Sequence, residues 1–490
     1  MSLSFVFPNQ SNCFSLARNV LAKIFSSKSV EKVARDSGAV VRDRKLKVNK
    51  FVFAVLTILG ASPKTHNLTM KSVHNVYNRL AKLGERLSAK CMHKHLDSDK
   101  MTECMKALLE SISSAIAGLT QKKRAQIVPK AVRKLLKNLN VKDIVLIDGT
   151  EIDARPSLAK DEEFQGSGKG RPHLDGEPSR PGIKLHAAYS VARQNFVYID
   201  VTDARESERA HVLTDRLSDC LIIADRGYVS FELEKKIAES GNFFIIKGKS
   251  NSTGKIKAAF GSDSEELSDL IGSNLKDAGI KDRTDFDIVS ERRISAASGG
   301  EEEHDGPYVE THECRVVREP HASRDGEEQV ITLRTNLPRN LASAEQIFML
   351  YRIRWTVEIF NKVCKSGNAL HSINSGKKPI VFEFIILSIM SMLIKTYLGY
   401  LAQISHNFEW LSMQKLNSYL SGSVLDKFYM AIMNCGKSKI YQVVKELFEL
   451  IAQNCQRGKP SARDRELLKD FPALVDAINS FWGVQDEEDD

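Results

Sequence analysis

Two short apolar runs, each followed by an aspartate, constrain the fold of this chain more than any other feature. The first lies in Asp143–Asp153 (DIVLIDGTEID), where Asp148 follows four apolar residues, and the second is Cys220–Ala224 (CLIIA), which leads into Asp225. Apolar, β-branched runs of this length are typical of buried strands. An aspartate beside glycine is also a common turn residue, so each aspartate alone has an ordinary structural interpretation. We predict neighbouring strands of one sheet, with Asp148 and Asp225 at their ends.

The segments around these two runs continue an α/β pattern. The residues between 155 and 182 are rich in Gly, Pro and charge, which is typical of a long functional loop. Further strands are predicted over Ile183–Val191, Phe196–Val201 and Asn242–Lys247, and helices over Ser207–Leu217 and Phe231–Ser240.

The stretch Leu350–Lys365 (LYRIRWTVEIFNKVCK) has the periodicity of one amphipathic helix. At about 100° per residue, its polar residues Tyr351, Arg354, Glu358 and Lys365 fall within roughly 60° of one another. The opposite side carries an apolar stripe that would pack on a core: Met349, Leu350, Ile353, Val357, Phe360 and Cys364. The ordinary interpretation of such a helix is a solvated polar face. The two aspartates upstream favour a functional face instead.

Three carboxylates converging at strand ends would repel one another unless cations neutralised them. A site made only of oxygen ligands suits Mg²⁺ or Mn²⁺. Two such ions about 3.5–4 Å apart can activate a water or hydroxyl nucleophile and stabilise the leaving oxygen of a phosphodiester. If Glu358 packs beside Asp148 and Asp225, the three acids form a site for this chemistry.

These residues carry a resemblance to a known family. The order of three strands, a helix, a strand with the second aspartate and a late helix with the acid is similar to an RNase H-like catalytic core. The Tyr–x2–Arg–x3–Glu–x6–Lys signature is present in full. With "IDGT" at Asp148, "ADRGY" at Asp225, "KLH" at Lys184–His186 and "TNL" at Thr335–Leu337, the chain resembles a DDE transposase of the insertion-sequence type-four family.

The resemblance implies roles for individual residues. Asp148, Asp225 and Glu358 would be the catalytic triad and hold two Mg²⁺ or Mn²⁺ ions. Tyr351, Arg354 and Lys365 would contact phosphates of the element's end beside the scissile bond. Lys362 lies near these polar residues and would assist them as a further cation. Trp355 could stack on a base, although a partly buried core tryptophan is the more ordinary role.

The sequence pattern and the resemblance together predict a domain order. Residues 1–120 form a helical DNA-binding region, and 121–250 form the first part of the RNase H-like core. Residues 251–340 form a β-rich insertion with strands Asp285–Ile294, Tyr308–Arg318 and Gln329–Thr335. The second part of the core spans 341–400, and a helical C-terminal region spans 401–490, with helices at Leu425–Met433, Ile440–Ala452 and Arg463–Phe481. The insertion contains no Trp, so an aromatic that stacks on a displaced base would have to be Tyr308 or a Phe.

The cations are distributed unevenly along the chain. The net charge of +9 says little by itself, but residues 121–142 hold eight cations and no acid. After Pro129 a helical face would present the cation row, which we define as Lys130, Arg133, Lys134 and Lys137. Such a row suits a phosphate backbone, while a solvated helix face is an equally ordinary interpretation.

Cysteines and apolar segments indicate a compartment. The eight cysteines have no paired spacing, which favours a reducing cytoplasm. A zinc site from Cys91, His93, His95 and Cys104 is an alternative whose spacing matches no familiar closed site. No signal peptide is evident. The most apolar run, Phe384–Ile394, is too short to cross a bilayer and predicts a buried helix.

These observations predict a cytoplasmic, nucleoid-associated prokaryotic enzyme that cuts and joins DNA. Its partners would be the terminal inverted repeats of the element and the target DNA. The resemblance implies a homodimer that binds two ends and works by cut-and-paste with a hairpin intermediate. Two alternatives stay open: a catalytically inactive, transposase-derived DNA-binding protein, and an RNase H-like nuclease that cuts without joining.

Overall fold

The computed structural model of the chain has a mixed α/β fold, with one large mixed sheet and helices towards both ends. The residues it describes are 13–19, 26–41, 46–59, 69–117, 135–154, 156–158, 181–192, 195–248, 254–274, 283–294, 308–322, 328–368, 370, 373, 375–406, 408, 411–434 and 437–456. The predicted helix Arg463–Phe481 and most of the 155–182 loop lie outside these ranges.

The helices precede and follow the strands along the chain. The N-terminal helices are α1 (Ser27–Asp36), α2 (Val48–Ile58), α3 (Met70–Leu80), α4 (Ala89–Leu96) and α5 (Asp99–Ala117). Among the strands lies α6 (Phe231–Glu239). The later helices are α7 (Ala344–Arg352), α8 (Trp355–Lys362), α9 (Lys378–His406), α10 (Met413–Tyr419), α11 (Ser423–Asn434) and α12 (Lys437–Asn454). The predicted helices Phe231–Ser240, Leu425–Met433 and Ile440–Ala452 are therefore confirmed.

Nine strands form the sheet in the order β3-β2-β1-β4-β5-β9-β8-β7-β6. They are β1 (Asp143–Asp153), β2 (Gly182–Ser190), β3 (Asn195–Asp203), β4 (Cys220–Ala224), β5 (Phe243–Lys247), β6 (Lys255–Phe260), β7 (Asp285–Ile294), β8 (Tyr308–Ala322) and β9 (Glu328–Thr335). Strands β1, β4 and β5 are parallel neighbours, whereas β9 runs antiparallel to β5 and begins an antiparallel ladder to β6. Every strand predicted from the sequence is present.

The chain divides into two compact units. The first consists of residues 1–132, 149–206 and 357–490, and the second of residues 133–148 and 207–356. In the first unit, α9 packs against α2, α5, α10 and α12, and also contacts β3. In the second unit, α6 and α7 each pack on β5 and β8.

The central helix of the first unit is longer than the sequence indicated. Phe384–Ile394 was predicted to be too short for a membrane span, yet α9 has 29 residues and is long and apolar enough for one by length and composition. Its most apolar window is fully buried inside the protein, as the predicted core helix requires. The extension passes through Lys395, whose ammonium donates to the Leu59 carbonyl (2.8 Å) and to Asn417 Oδ1 (2.9 Å). These bonds allow a buried cation to lie within an apolar helix.

Two local predictions were wrong. Ser207–Leu217 does not form an α-helix but two short 3-10 turns, Glu208–His211 and Thr214–Arg216. The Arg209 side chain donates to the Gly227 carbonyl (3.2 Å), so tertiary contacts determine the path of this segment. Strand β6 was not predicted from the sequence. It is an edge strand in which buried and exposed residues alternate, and two of the exposed residues are lysines.

Candidate active site

The strand register places Asp148 and Asp225 side by side. Ile147 on β1 pairs with Ala224 on β4, so the two aspartates occupy the next position on parallel neighbours. Strands in a sheet lie about 4.8 Å apart and side chains alternate between faces, so both carboxylates leave the same face. Asp225 follows the end of β4, as predicted. Asp148 does not end its strand. It follows the buried first part of β1, and five further residues of the same strand come after it.

Asp225 is held by donors on one of its two oxygens. Its Oδ1 accepts from the backbone N–H of Arg226 (2.7 Å) and from the hydroxyl of Tyr351 (3.4 Å). The first bond caps the 3-10 turn Arg226–Tyr228. Oδ2 makes no hydrogen bond to any residue that the structure describes, so it has capacity for another ligand.

Asp148 lies beside an arginine. Arg354 Nη1 is 3.9 Å from Asp148 Oδ1, at the limit of an ion pair, and the two side chains are 12% and 17% exposed. The same guanidinium lies over the Tyr351 ring, 5.5 Å from its centroid. We call Asp148, Asp225, Tyr351 and Arg354 the aspartate site.

The phenol of Tyr351 stays protonated in this environment. Burial raises the pKa of Tyr351 strongly; Arg354 opposes this effect and Asp225 adds to it. A neutral phenol can donate a hydrogen bond at any physiological pH, which matches its bond to Asp225.

The predicted single helix over Leu350–Lys365 is interrupted. Helix α7 ends at Arg352, Ile353 and Arg354 form a turn, and α8 gives way to a π-helix at Val363–Gly367. The periodicity of apolar residues does not reveal a helix break or a π-helix, because each changes the angle between neighbouring side chains by only a fraction of a turn. The π-helix has tertiary support: Cys364 Sγ lies 3.8 Å from Ser388 Oγ on α9.

The predicted site residues divide between the two units. Tyr351 and Arg354 belong to the second unit, with both aspartates. The first unit contains Glu358 and Lys365, both half-buried, and the exposed Lys362. The convergence of Glu358 with the aspartates therefore stays a prediction.

Two further predictions concern nearby and upstream residues. Trp355 is 45% exposed and therefore partly buried, and both of its predicted roles stay predictions. In the cation row, Lys137 is exposed, while Lys130, Arg133 and Lys134 lie outside the described residues. The side chain of Tyr308 is likewise outside them.

The aspartate site fits a divalent cation. Its free acceptor, Asp225 Oδ2, is a carboxylate oxygen on a partly exposed side chain, and Asp148 supplies a second carboxylate at the adjacent register position. Carboxylate oxygens are the ligands that Mg²⁺ and Mn²⁺ prefer.

Comparison with known proteins identifies the family of this chain. The Transposase DDE domain family matches residues 139–394, more than half of the chain, and this span includes both aspartates and Glu358. This chain belongs to the DDE transposase family. The transposase for insertion sequence element IS1151 of Clostridium perfringens is 26% identical over 243 residues. That alignment covers 45% of this chain and 49% of the relative, so the chain spans about half the length of the curated relative it matches.

A solved structure is also similar to this DDE transposase family member. A piggyBac transposase synaptic complex with hairpin DNA gives a TM-score of 0.37 at 13% identity. The match covers 95% of this chain and 85% of that one.

A second cluster of candidate metal ligands in the transposase combines a carboxylate with other ligand types. Glu234, His312 and Cys314 are all buried, and their ligand atoms lie within 4.8 Å of one another. However, Arg334 donates from Nε to both oxygens of Glu234 (3.1 and 3.0 Å), and His312 Nε2 lies 2.8 Å from Glu234 Oε2. A cation would have to displace Arg334. We call Glu234, His312 and Arg334 the buried ion-pair group and interpret it as structural.

Electrostatics support that interpretation. Burial raises the pKa of Glu234, but Arg334 and His312 outweigh burial and hold the pKa below its ordinary value. The alternative zinc site is not formed: Cys91, His93, His95 and Cys104, all described, are not brought together as a group of ligands.

Sequence reasoning gave no role to two side chains near the aspartates. Glu208 packs against Gly227, where an added Cβ would lie 3.1 Å from Glu208 Oε2. Tyr228 is the last residue of the turn that Asp225 caps. The "ADRGY" motif contained Tyr228, but nothing in the motif shows where its hydroxyl lies.

Proposed function

We propose that this DDE transposase cleaves the ends of an insertion sequence and joins them to target DNA with Mg²⁺ or Mn²⁺. The observation that carries the proposal is the adjacent register of Asp148 and Asp225, together with the tyrosine and arginine that line them. The similarity to a transposase of an insertion sequence element supports the choice of substrate. We further propose the insertion-sequence type-four family and an RNase H-like core with a β-rich insertion.

Asp148, Asp225 and Glu358 would hold two divalent ions. Bound ions of this kind activate a water or hydroxyl and stabilise the leaving oxygen of a phosphodiester. Water attacks the phosphodiester at the element's end, the bond from phosphorus to the 3′ oxygen breaks, and a 3′-hydroxyl and a 5′-phosphate result. That hydroxyl then attacks a phosphodiester of the target DNA at the same site, and the 3′ oxygen of the target strand leaves.

The polar residues of α7, α8 and the turns beside them would bind phosphate. Arg354 lies 3.9 Å from Asp148, far enough for a phosphate oxygen to take over the guanidinium. Tyr351 holds Asp225 Oδ1, which leaves Oδ2 for a cation. Lys365 and Lys362 follow Glu358 along the chain, and each adds a charge that suits the DNA backbone.

The cation row would bind DNA without reading its sequence. Replacing Lys130, Arg133, Lys134 and Lys137 by Ala is expected to weaken binding to all duplexes alike. The slope of log K against log salt should shrink by about 3–4 if all four contact phosphates. Fluorescence anisotropy at several salt concentrations measures this slope. A loss confined to terminal-repeat DNA would show that the row reads bases.

The test of the proposed function uses plasmid DNA that carries the terminal inverted repeats flanking the gene. The wild-type protein is expected to nick this plasmid in the presence of Mg²⁺ or Mn²⁺ but not in EDTA. A control plasmid that lacks the repeats should stay intact. Excised ends should then become joined to a second plasmid. Cutting without joining would favour the nuclease alternative, and end binding without cutting would favour the inactive DNA-binding protein. The homodimer and the cytoplasmic, nucleoid-associated location stay predictions.

A further inference from the structure

The hydroxyl of Tyr228 is buried without a hydrogen-bond partner. The side chain is 1% exposed, and its Oη has no partner among the residues that the structure describes. Such a hydroxyl is destabilising unless something outside the folded chain satisfies it, since it has lost its hydrogen bonds to water. Orphaned buried groups in native proteins therefore point to a water or a ligand.

Local structure fixes the backbone of Tyr228 close to Asp225, both in sequence and in space. The Tyr228 N–H donates to the Asp225 carbonyl (3.0 Å), which closes the 3-10 turn. Arg209 donates to the Gly227 carbonyl (3.2 Å), and the Glu208 carboxylate packs on Gly227, which has no Cβ to exclude it. The turn is thus held on both sides, so the Tyr228 ring has a defined position.

Three of the four charged groups that act on the hydroxyl belong to the aspartate site, and the fourth is Glu208. Burial raises the pKa of Tyr228 well above its ordinary value; Glu208, Asp148 and Asp225 raise it further, while Arg354 opposes them. The phenol is therefore neutral and carries a proton to donate. None of these acids accepts a hydrogen bond from the Tyr228 hydroxyl, so its proton has no acceptor among the described residues.

We propose that Tyr228 is a further catalytic residue, whose hydroxyl donates a hydrogen bond to a non-bridging oxygen of the scissile phosphate. This inference rests on the proposed function, because it requires a phosphodiester at the aspartate site. A phosphate oxygen is a strong acceptor, and its bond with the phenol would satisfy the orphaned hydroxyl only when DNA is bound. The bond would strengthen as charge builds on the phosphate during attack.

The test compares two tyrosines whose hydroxyls are both buried and unpartnered. Tyr228→Phe removes only the proposed donor. The control is Tyr397→Phe: Tyr397 on α9 is 3% exposed, its Oη also has no described partner, and the group that acts on it besides burial is the Cys13 thiol. Cleavage is measured in a single turnover with saturating protein and Mg²⁺ on a duplex ending in the terminal repeat. Affinity for that duplex is measured with Ca²⁺ in place of Mg²⁺, and Tm without DNA.

Tyr228→Phe is expected to lower the single-turnover rate about 10- to 100-fold, with affinity within about twofold and Tm equal to or above the wild-type value. Tyr397→Phe should match that effect on Tm and leave the rate unchanged. A purely structural tyrosine cannot give a slower rate with an undiminished Tm. A wild-type rate in Tyr228→Phe would overturn the inference and indicate an ordered water as the partner, and a Tm that falls with the rate would also overturn it. If the wild-type protein does not cut end DNA, the proposed function fails, and this inference falls with it.

Discussion

The second unit contains two groups that combine carboxylates with an arginine, and they differ in how the carboxylate oxygens of Glu234 and Asp225 are bonded. In the buried ion-pair group, Glu234 is 0% exposed and Arg334 is 1% exposed, with bonds of 3.0–3.1 Å to both carboxylate oxygens. In the aspartate site, Arg354 stays 3.9 Å from Asp148, and Asp225 Oδ2 has no described partner.

This difference separates structure from function where residue types do not. Both groups contain acids and an arginine, and the buried one also brings His and Cys together as a metal site would. A carboxylate with both oxygens bonded to a guanidinium contributes to folding and has little capacity for another ligand. Asp225, whose Oδ2 has no described partner on a partly exposed side chain, retains that capacity. The predictions below test this comparison.

The largest effect is expected when the aspartate site loses a carboxylate. Asp225→Asn keeps the side-chain volume but removes the charge, so cleavage should fall on the order of 10³-fold or more. Affinity for end DNA should change little, because it depends mainly on contacts of cations with phosphates. The matched control is Asp219→Asn, an exposed aspartate before β4 that pairs with Lys142 and should leave cleavage unchanged. Equal losses of cleavage and binding in Asp225→Asn would count against the assignment.

The next effect is on stability, and it should occur in the buried ion-pair group. Arg334→Met leaves Glu234 buried without its guanidinium, which should reduce the free energy of unfolding by about 3–5 kcal/mol. Denaturant unfolding measures this loss. Cleavage per folded molecule should be retained below the unfolding transition. If Arg334→Met keeps full stability and loses cleavage, the buried group is functional and the comparison is wrong.

The same substitution at the aspartate site should have the opposite result. Arg354→Met is expected to slow cleavage about 100-fold, because a two-point contact of arginine with phosphate is lost. The free energy of unfolding should fall by less than in Arg334→Met, since the 3.9 Å pair of Arg354 with Asp148 is longer than the bonds of 3.0–3.1 Å between Arg334 and Glu234. Single-turnover kinetics and denaturant unfolding of the two methionine variants, measured side by side, decide this point.

The smallest effect is expected at the lysines that follow Glu358. Lys365→Ala should slow cleavage about 10-fold through loss of one charge-assisted contact, with Tm unchanged. Lys362 is exposed and serves as the comparison, because its replacement by Ala should have a smaller effect. Equal rates in both variants and the wild type would identify these lysines as an ordinary solvated face.

The sequence predicted the strands well because their signal is local. The run Cys220–Ala224 has no interpretation other than a buried segment, and its place beside β1 follows from parallel α/β order. The two aspartates were predicted because each follows an apolar run, although Asp148 lies within its strand, and Tyr351 and Arg354 were predicted because of their spacing along the chain. Their mutual distances were not visible.

What the sequence missed depends on tertiary contacts. The π-helix after α8 is supported by Ser388, which also accepts from Asn368 (2.6 Å). Helix α9 continues through Lys395 because its amino group is bonded to Leu59 and Asn417, which lie 336 and 22 positions away along the chain. The buried ion-pair group joins α6 to β9 across 100 residues. No pattern of spacing along the chain indicates such pairs.

The central claim is that Asp148, Asp225 and Glu358 together hold two divalent ions. A crystal structure of the protein with Mn²⁺ and end DNA, with anomalous scattering used to locate manganese, tests it most directly. The account predicts two manganese peaks about 3.5–4 Å apart, with oxygens of all three acids as ligands. Peaks at Glu234 and His312 instead, or a Glu358 carboxylate that contacts no ion while the aspartates do, would contradict it.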